Sequence, residues 1–339
     1  MPDVVSFAEA LEHLPNVKKH VLLGNGFSRA CRDDIFSYDA LFNQADFDNL
    51  SPTSRMAFDA LGTTDFEVVM RALRNAATLV RVYAQENPAL AERLRADADS
   101  LRNLLAETIA RSHPDRPSDI SLDRYGACRT FLSLFKRIYT VSYDLLLYWA
   151  LMQEEIAPDI DSDDGFRQPE EGPEEYVTWD VQKTDSQSVF YLHGALHIFD
   201  AGAELQKFTW SNTGIALLDQ IREALRTDRF PLFVAEGDSE SKLARIQHSG
   251  YLNRGYRSFA SIGGVLFVFG LSFAEKDEHI LELLDNGKVK HLLISLHGNS
   301  DSAENRRIVQ RAELMQQRRH RRYPLELTFF DAASANVWG

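Results

Sequence analysis

The chain has 339 residues, of which 44% are hydrophobic and 26% are charged, a composition typical of a globular protein with a large core. The net charge of −13 disfavours direct binding to nucleic acid or to an anionic membrane. Its two cysteines, Cys31 and Cys128, are too few for a disulfide framework or a four-ligand zinc site, so we expect free thiols and no metal.

The first residues include acidic side chains and lack the apolar core of a signal peptide. No stretch approaches the roughly eighteen apolar residues that are needed to span a bilayer. We therefore expect a soluble, cytoplasmic protein without a membrane partner.

Short apolar runs alternate with longer amphipathic stretches along the chain. The predicted strands are 19–23, 137–141, 189–192, 232–235, 265–269, 289–295 and 325–329. Continuous hydrophobicity favours strands that are buried on both faces, as in a parallel sheet. The sequence thus predicts an α/β fold over residues 1–339, with a Rossmann-like, mostly parallel sheet, helices on both of its faces and a helical insertion.

The helical insertion is predicted for residues 60–136, between the first two strands. Apolar residues recur there at spacings of three and four, including Val68, Val69, Leu73, Ala76 and Val80. The stretch is too long for a single crossover helix. Turn-forming residues at 112–117 predict a break within it.

An acidic segment follows, with ten acidic residues against the single cation Arg167 in residues 154–175. Such a composition cannot bury enough apolar surface to offset the entropy of ordering. We expect a mobile acidic loop over residues 154–187, and binding of a partner by this loop is an alternative.

A glycine-containing turn follows the first predicted strand and comprises Gly24, Asn25 and Gly26. Glycines at such a place allow the backbone to approach a phosphate, towards which the next helix points its N-terminus. Arg29 stands where a dinucleotide fingerprint requires its third glycine, and the chain contains no G-K-[ST] sequence. An ordinary dehydrogenase and a P-loop protein are therefore disfavoured.

Four separate segments end predicted strands, namely residues 24–28, 140–144, 191–194 and 269–272. Ligands of open α/β sheets bind outside the carboxyl ends of the strands. We therefore expect all four segments to converge on one pocket.

Together these segments resemble the sirtuin-like domain. The resemblance covers about residues 21–280 and implies that NAD is the bound nucleotide, as a substrate. It implies a catalytic group of His193, Ser142 and Asp144. It also implies the cofactor-binding residues Gly24, Asn25, Gly26, Phe27, Ser28, Phe36, Thr140, Gly270 and Ser272.

The resemblance also indicates a function class. Protein-deacylating sirtuins carry a zinc ribbon that needs four cysteines, which this chain lacks. The relatives that remain are bacterial NAD hydrolases of anti-phage defence, which cleave the nicotinamide–ribose bond. They imply a homo-oligomer or a complex with another defence protein, such as a HerA-type ATPase or a second sirtuin-like subunit.

One departure from the family pattern favours an alternative. The family's T-x-N-x-D segment has Ser142 in place of its asparagine, and a small misplacement of a reacting group can cost a hundredfold in rate. The alternative is a weak or inactive nucleotide-binding subunit. In an active enzyme, His193 would be the general base and Asp144 would bind ribose, brace the phosphate loop or cap the next helix.

A serine hydrolase is a further alternative. Residues 270–274 resemble a degenerate nucleophile elbow around Ser272. Asp277 or Asp285 and His291 or His297 follow in the order of that class, but the glycine turn is then unexplained.

Overall fold

The structure is a computed structural model, and it describes residues 3–12, 14, 17–169, 176–183, 185–202, 204–209, 216–227, 229–234, 239–320 and 324–339. Strands and helices alternate over most of this length. The strands are β1 (Val4–Val5), β2 (Lys19–Leu23), β3 (Arg137–Thr140), β4 (Phe166–Arg167), β5 (Tyr176–Trp179), β6 (Val189–Tyr191), β7 (Gly194–Asp200), β8 (Leu205–Phe208), β9 (Pro231–Phe233), β10 (Gly263–Phe269), β11 (Lys288–Leu296) and β12 (Glu326–Asp331). The helices are α1 (Phe7–Glu12), α2 (Gly26–Phe36), α3 (Tyr38–Gln44), α4 (Pro52–Leu61), α5 (Phe66–Tyr83), α6 (Pro88–Ser112), α7 (Leu122–Leu132), α8 (Leu146–Met152), α9 (Leu217–Arg226), α10 (Ser239–His248), α11 (Gly250–Ser261), α12 (Glu278–Asp285) and α13 (Ala303–Arg318).

The central sheet has seven strands in the order β1-β12-β11-β10-β2-β3-β6, and every pairing in it is parallel. Helices cover both of its faces. The predicted Rossmann-like α/β fold is thus confirmed. Six of the seven predicted strands lie in this sheet, with ends that differ from the prediction by a few residues at most.

The alternation of side chains in β2 shows why these strands are apolar throughout. Val21 and Leu23 pack into the hydrophobic layer on one face of the sheet, whereas Leu22 packs into the layer on the other face. Successive side chains of a strand point to opposite faces, so a strand covered on both sides needs an apolar residue at every position.

A second, antiparallel sheet corrects one part of the prediction. Its strand order is β4-β5-β8-β7-β9. The predicted strand 232–235 is β9, which pairs antiparallel with β7 and does not belong to the central sheet. A short apolar run has the same composition in either sheet, so the sequence of this strand does not show which strand it pairs with. Ala235 lies outside the described residues.

The acidic segment 154–187 also differs from the predicted loop, because it contains β4 and β5. Two of its carboxylates are paired: Asp163 contacts Arg167 at 2.6 Å and Asp164 contacts Lys207 at 2.5 Å. Partnered charges permit an ordered chain where composition alone predicted a loop. Residues 170–175 and 184 of this segment lie outside the described part.

Helices α2 to α7 fill the chain between β2 and β3, which includes the predicted insertion. Helix α6 ends at Ser112, where the break was predicted. Helix α5 begins after its cap Asp65, whose Oδ1 accepts a hydrogen bond of 2.9 Å from the Glu67 backbone N–H. This N-terminal turn of α5 reaches the carboxyl edge of the central sheet and contributes to the site described next.

Candidate functional site

A cavity of about 580 Å³ opens at the carboxyl edge of the central sheet. The strands β2, β3, β10 and β11 end around it, and the starts of α2 and α5 close its sides. All four segments that the sequence analysis singled out contribute to its wall, through residues such as Gly26, Ser142, His193 and Gly270. The predicted convergence is therefore present in the structure.

Two glycine loops form the floor of the cavity by direct backbone contact. The N–H of Gly24 donates to the carbonyl of Phe269 and the N–H of Gly26 donates to the carbonyl of Gly270, both at 2.8 Å. A Cβ on Gly26 would lie 2.5 Å from the Gly270 Cα, and Gly270 itself has a φ of +69°. The glycines are thus required for the loops to meet, whatever ligand lies above them.

Asp144 holds this floor to the end of β3. Its Oδ2 accepts a hydrogen bond of 2.5 Å from the Ser28 hydroxyl, and its Oδ1 accepts one of 2.9 Å from the Leu146 backbone N–H at the start of α8. Asp144 therefore both braces the glycine turn and caps a helix, the two roles expected for it apart from ribose binding. Burial raises the pKa of this carboxyl although both hydrogen bonds lower it.

His193 lies at the turn between β6 and β7, and the glycine after it is needed for the backbone. Gly194 has a φ of +79°, and a Cβ there would lie 1.8 Å from the Leu232 carbonyl oxygen. The His193 carbonyl accepts a hydrogen bond of 2.8 Å from the Val234 N–H. The close contact between β7 and β9 therefore explains why a glycine follows His193. The ring of His193 lines the cavity.

The His193 ring pairs with a second histidine. Its Nε2 lies 2.9 Å from the Nε2 of His279, and the two rings stack with their centres 5.1 Å apart. Burial, together with the nearby positive charge of Lys242, lowers the pKa of His193 well below its usual range. Burial and Lys242 likewise lower the pKa of His279, to about 3. Both rings are therefore neutral at neutral pH, and one facing nitrogen donates a hydrogen bond to the other. This is a different state from the freely titrating base that the sequence predicted.

A buried network of charges lies beside the histidines. The Glu67 carboxylate contacts Lys242 Nζ at 2.7 Å and Lys276 Nζ at 3.6 Å, and it accepts a hydrogen bond of 2.7 Å from the Tyr143 hydroxyl. Lys276 also lies 2.9 Å from Asp65. The two lysines hold the pKa of Glu67 at about 2 against the effect of burial, so Glu67 is ionised.

Asp277 is a further carboxylate of this network, and its pKa is shifted in the opposite direction to that of Glu67. Its Oδ1 lies 3.8 Å from Lys242 Nζ, too far for a hydrogen bond, and burial raises the pKa of this carboxyl. Two carboxylates with pKa values shifted in opposite directions thus line one cavity. Such a pair is typical of sites where one group stays charged while another exchanges a proton.

The predicted site residues fall into two layers. Those that line the cavity are Asn25, Gly26, Phe36, Ser142, Asp144, His193, Gly270 and Ser272. Those behind the wall are Gly24, Phe27, Ser28 and Thr140. Their contacts are structural: the Thr140 hydroxyl accepts a hydrogen bond of 3.0 Å from the Ser142 N–H, and the Phe27 ring packs on Trp338.

Ser142, the residue that departs from the sirtuin-like pattern, lines the cavity. Its Oγ is buried and has no hydrogen-bond partner among the residues that the structure describes. A buried hydroxyl without a partner is costly, so a ligand or a water molecule in the cavity is its natural acceptor.

The structure brings together only some residues of the serine-hydrolase alternative. Ser272, Asp277 and His297 line the cavity, but no hydrogen bond joins any two of them in the described part of the chain. Asp285 is bound by Arg311 at 2.9 Å, and the ring of His291 bonds the Thr328 hydroxyl at 2.8 Å. The residue with a strained backbone is Phe273, with a φ of +54°, and not Ser272 as a nucleophile elbow requires.

Sequence reasoning missed several members of the site, namely Tyr38, Asp65, Glu67, Tyr143, Lys242, Lys276 and His279. They come from four separate parts of the chain, namely residues 38, 65–67, 143 and 242–279, and no sequence motif links these parts. The one available signal was Glu67, a carboxylate inside the apolar run at residues 66–70. A charge at such a position indicates either a helix N-terminus or a buried partner, and here it has both.

Among the described residues, no group of three or more histidine, cysteine or acidic side chains could hold a metal ion. None of the described helices combines the length and the apolar character that crossing a membrane requires.

Comparison with known proteins gives one family. The family model described as "Domain of unknown function (DUF4917)" matches residues 21–338, nearly the whole chain. No curated protein matches the chain.

Proposed function

The chain belongs to the family described as Domain of unknown function (DUF4917), and for this member we propose cleavage of the nicotinamide–ribose bond of NAD. One observation carries the proposal. A cavity of about 580 Å³ at the carboxyl edge of a parallel sheet joins a glycine turn to a buried group of ionisable side chains. Its volume is within the range of small-molecule and cofactor sites, and its position is that of ligands in open α/β folds.

Two groups of lining residues suit the two halves of a dinucleotide. The glycine turn leads into α2, whose N-terminus favours a negatively charged group such as a pyrophosphate. Glu67, Asp277 and His193 form a second, ionisable group in the same lining. The proposed orientation therefore places the phosphates over the glycine turn and the nicotinamide ribose beside the carboxylates.

The carboxylates suit the chemistry of this cleavage. The bond between the ribose and the nicotinamide breaks with its electron pair on the nicotinamide, so positive charge develops on the ribose. Ionised Glu67 supplies fixed negative charge near that position. Water then adds to the ribose and must lose a proton, and Asp277, whose pKa is raised, is the acceptor we propose.

His193 takes a supporting role in this scheme. A neutral imidazole bonded to His279 can orient a ribose hydroxyl or the water and relay a proton, without carrying charge of its own. The Ser142 hydroxyl, which has no hydrogen-bond partner among the described residues, is the second group that holds the water. These assignments keep His193 and Ser142 in the site but move the role of general base from His193 to Asp277. Asp144 keeps its structural role at the glycine turn.

A second candidate is binding of NAD without turnover, as a partner subunit. The shorter Ser142 side chain and the lowered pKa of His193 favour it, since each weakens a group on which catalysis would depend. The resemblance to sirtuin-like defence proteins further suggests a cytoplasmic assembly of several copies, or one with a second sirtuin-like subunit or a HerA-type ATPase.

Release of nicotinamide from NAD by the purified protein tests the proposal. The variants are Asp277→Asn and His193→Gln, and the control is His291→Gln, which alters a histidine outside the cavity. We expect cleavage by the parent and the control, and a loss of about a hundredfold or more in Asp277→Asn. Binding of NAD without any release would support the partner subunit, and absence of both would refute the proposal.

A further inference from the structure

A second depression lies at the opposite, amino edge of the central sheet. The strands β2, β3 and β10 begin around it, and it encloses about 540 Å³ in a shallow, open form. Its polar lining comprises Lys18, His20, Lys136, Arg137 and Ser261, and Gly263 and Gly264 also line it. We name it the amino-edge pocket.

The pocket is positively charged, in a protein whose net charge is −13. Lys18 and Lys136 are exposed and Arg137 is half-buried. Within the described part of the chain, no ion pair joins any of the three to a carboxylate. Three adjacent cations without a counter-charge repel one another, so binding of an anion would relieve the repulsion.

His20 supplies a buried polar atom at the same place. Its side chain is only 6% exposed, and its Nδ1 has no hydrogen-bond partner among the described residues. Burial, and then the neighbouring Arg137, Lys136 and Lys18, lower the pKa of this ring to about 4. An imidazole nitrogen without a partner is costly, and the open side of the pocket is where a partner can enter.

We propose that the amino-edge pocket binds the phosphate group of a small phosphorylated ligand. The lysines and Arg137 give charge-assisted hydrogen bonds to phosphate oxygens, and the His20 ring gives a further polar contact. A small ligand fits better than nucleic acid, because a long polyanion meets the negative field of the whole molecule and a single phosphate group meets mainly this cluster.

Calorimetric titration with inorganic pyrophosphate tests the proposal. The test variant is Lys18→Gln/Lys136→Gln, and the control is Arg81→Gln/Arg226→Gln, which removes two positive charges at exposed ion pairs elsewhere. All four side chains are exposed, so folding should be unaffected, and circular dichroism checks this. We expect the test variant to bind pyrophosphate at least tenfold more weakly than the parent and the control to bind as the parent does.

The His20 ring resonances give an independent readout by NMR. Saturating pyrophosphate should shift them in the parent protein, because a bound anion raises the pKa of this histidine. Equal affinity of the test variant and the parent would overturn the proposal, since binding would then lie elsewhere, for example in the cavity at the carboxyl edge. Unmoved His20 resonances would also overturn the proposal. Titration with ADP and with a short oligonucleotide compares ligand sizes, and tighter binding of the oligonucleotide than of pyrophosphate and ADP would overturn it as well.

Discussion

Breaking the buried ion pair between Lys242 and Glu67 should be far more costly than breaking an exposed pair of the same length. Lys242 Nζ lies 2.7 Å from Glu67 Oε2, and the lysine side chain is fully buried. The exposed pair Arg81–Glu92 has the same distance of 2.7 Å, with side chains that are 50% and 65% exposed. Burial is therefore the main difference between the two pairs.

The distances around Glu67 give the expected loss of stability when the Lys242–Glu67 pair is broken. Two unit charges 2.7 Å apart attract by about 6 kcal/mol at an effective dielectric constant of about 20. In Lys242→Met, Glu67 keeps Lys276 at 3.6 Å and the Tyr143 hydroxyl at 2.7 Å, so part of this energy is retained. We expect the free energy of unfolding to fall by about 3 kcal/mol, within the range for one broken buried pair.

Urea denaturation at pH 7 measures both pairs by double-mutant cycles. The buried cycle uses Lys242→Met, Glu67→Gln and the double variant, and the exposed cycle uses Arg81→Met, Glu92→Gln and their double variant. We expect a coupling energy of about 2–3 kcal/mol for the buried pair and less than about 1 kcal/mol for the exposed pair. Equal coupling energies would refute the claim that Glu67 and Lys242 interact as buried charges.

Three further predictions follow from single residues. Ser142→Asn restores the family's amide and should raise nicotinamide release at least about tenfold, and an unchanged rate would show that the serine is not limiting. Gly194→Ala should lower the free energy of unfolding, measured in urea, by more than about 3 kcal/mol, because a Cβ there meets the Leu232 carbonyl. The control Gly202→Ala has a φ of +84° but no atom within 4 Å of the added Cβ, so it should lower that free energy by about 1 kcal/mol. Similar losses in the two variants would contradict the close contact at Gly194. Burial lowers the pKa of His113 from 6.5 to about 4, so the folded protein binds fewer protons than the unfolded chain between these values. The free energy of unfolding of the protein should therefore fall by about 2 kcal/mol or more as the pH is lowered from 7 to 4.5. Urea denaturation that gives the same free energy at both pH values would exclude this.

The central sheet could be predicted because its strands are apolar along their whole length. The run at residues 265–269 is an example, since Leu266 and Phe267 pack into different layers and no polar residue interrupts them. The second sheet could not be predicted in the same way. Strand β4 follows Asp164, which pairs with Lys207 some forty residues later in a tertiary contact. Composition therefore indicated a loop.

The candidate site was predictable where it depends on the ends of strands. Gly26, Ser142, His193 and Gly270 follow strands directly, and parallel strands bring such residues to one edge. Glu67 and Lys242 come instead from helices, and only the packing of those helices brings the two together. The sequence also could not show that His193 faces His279 and is held neutral, because burial is a property of the fold.

Hydrogen exchange of the protein with and without NAD tests the central claim most directly. If NAD binds in the carboxyl-edge cavity, amides in residues 24–30, 140–146 and 270–278 should exchange more slowly in its presence. Peptides from the amino edge, such as those covering residues 17–20 and 261–264, should be unchanged and serve as the internal control. Unchanged exchange around the cavity, or slower exchange only at the amino edge, would contradict the account.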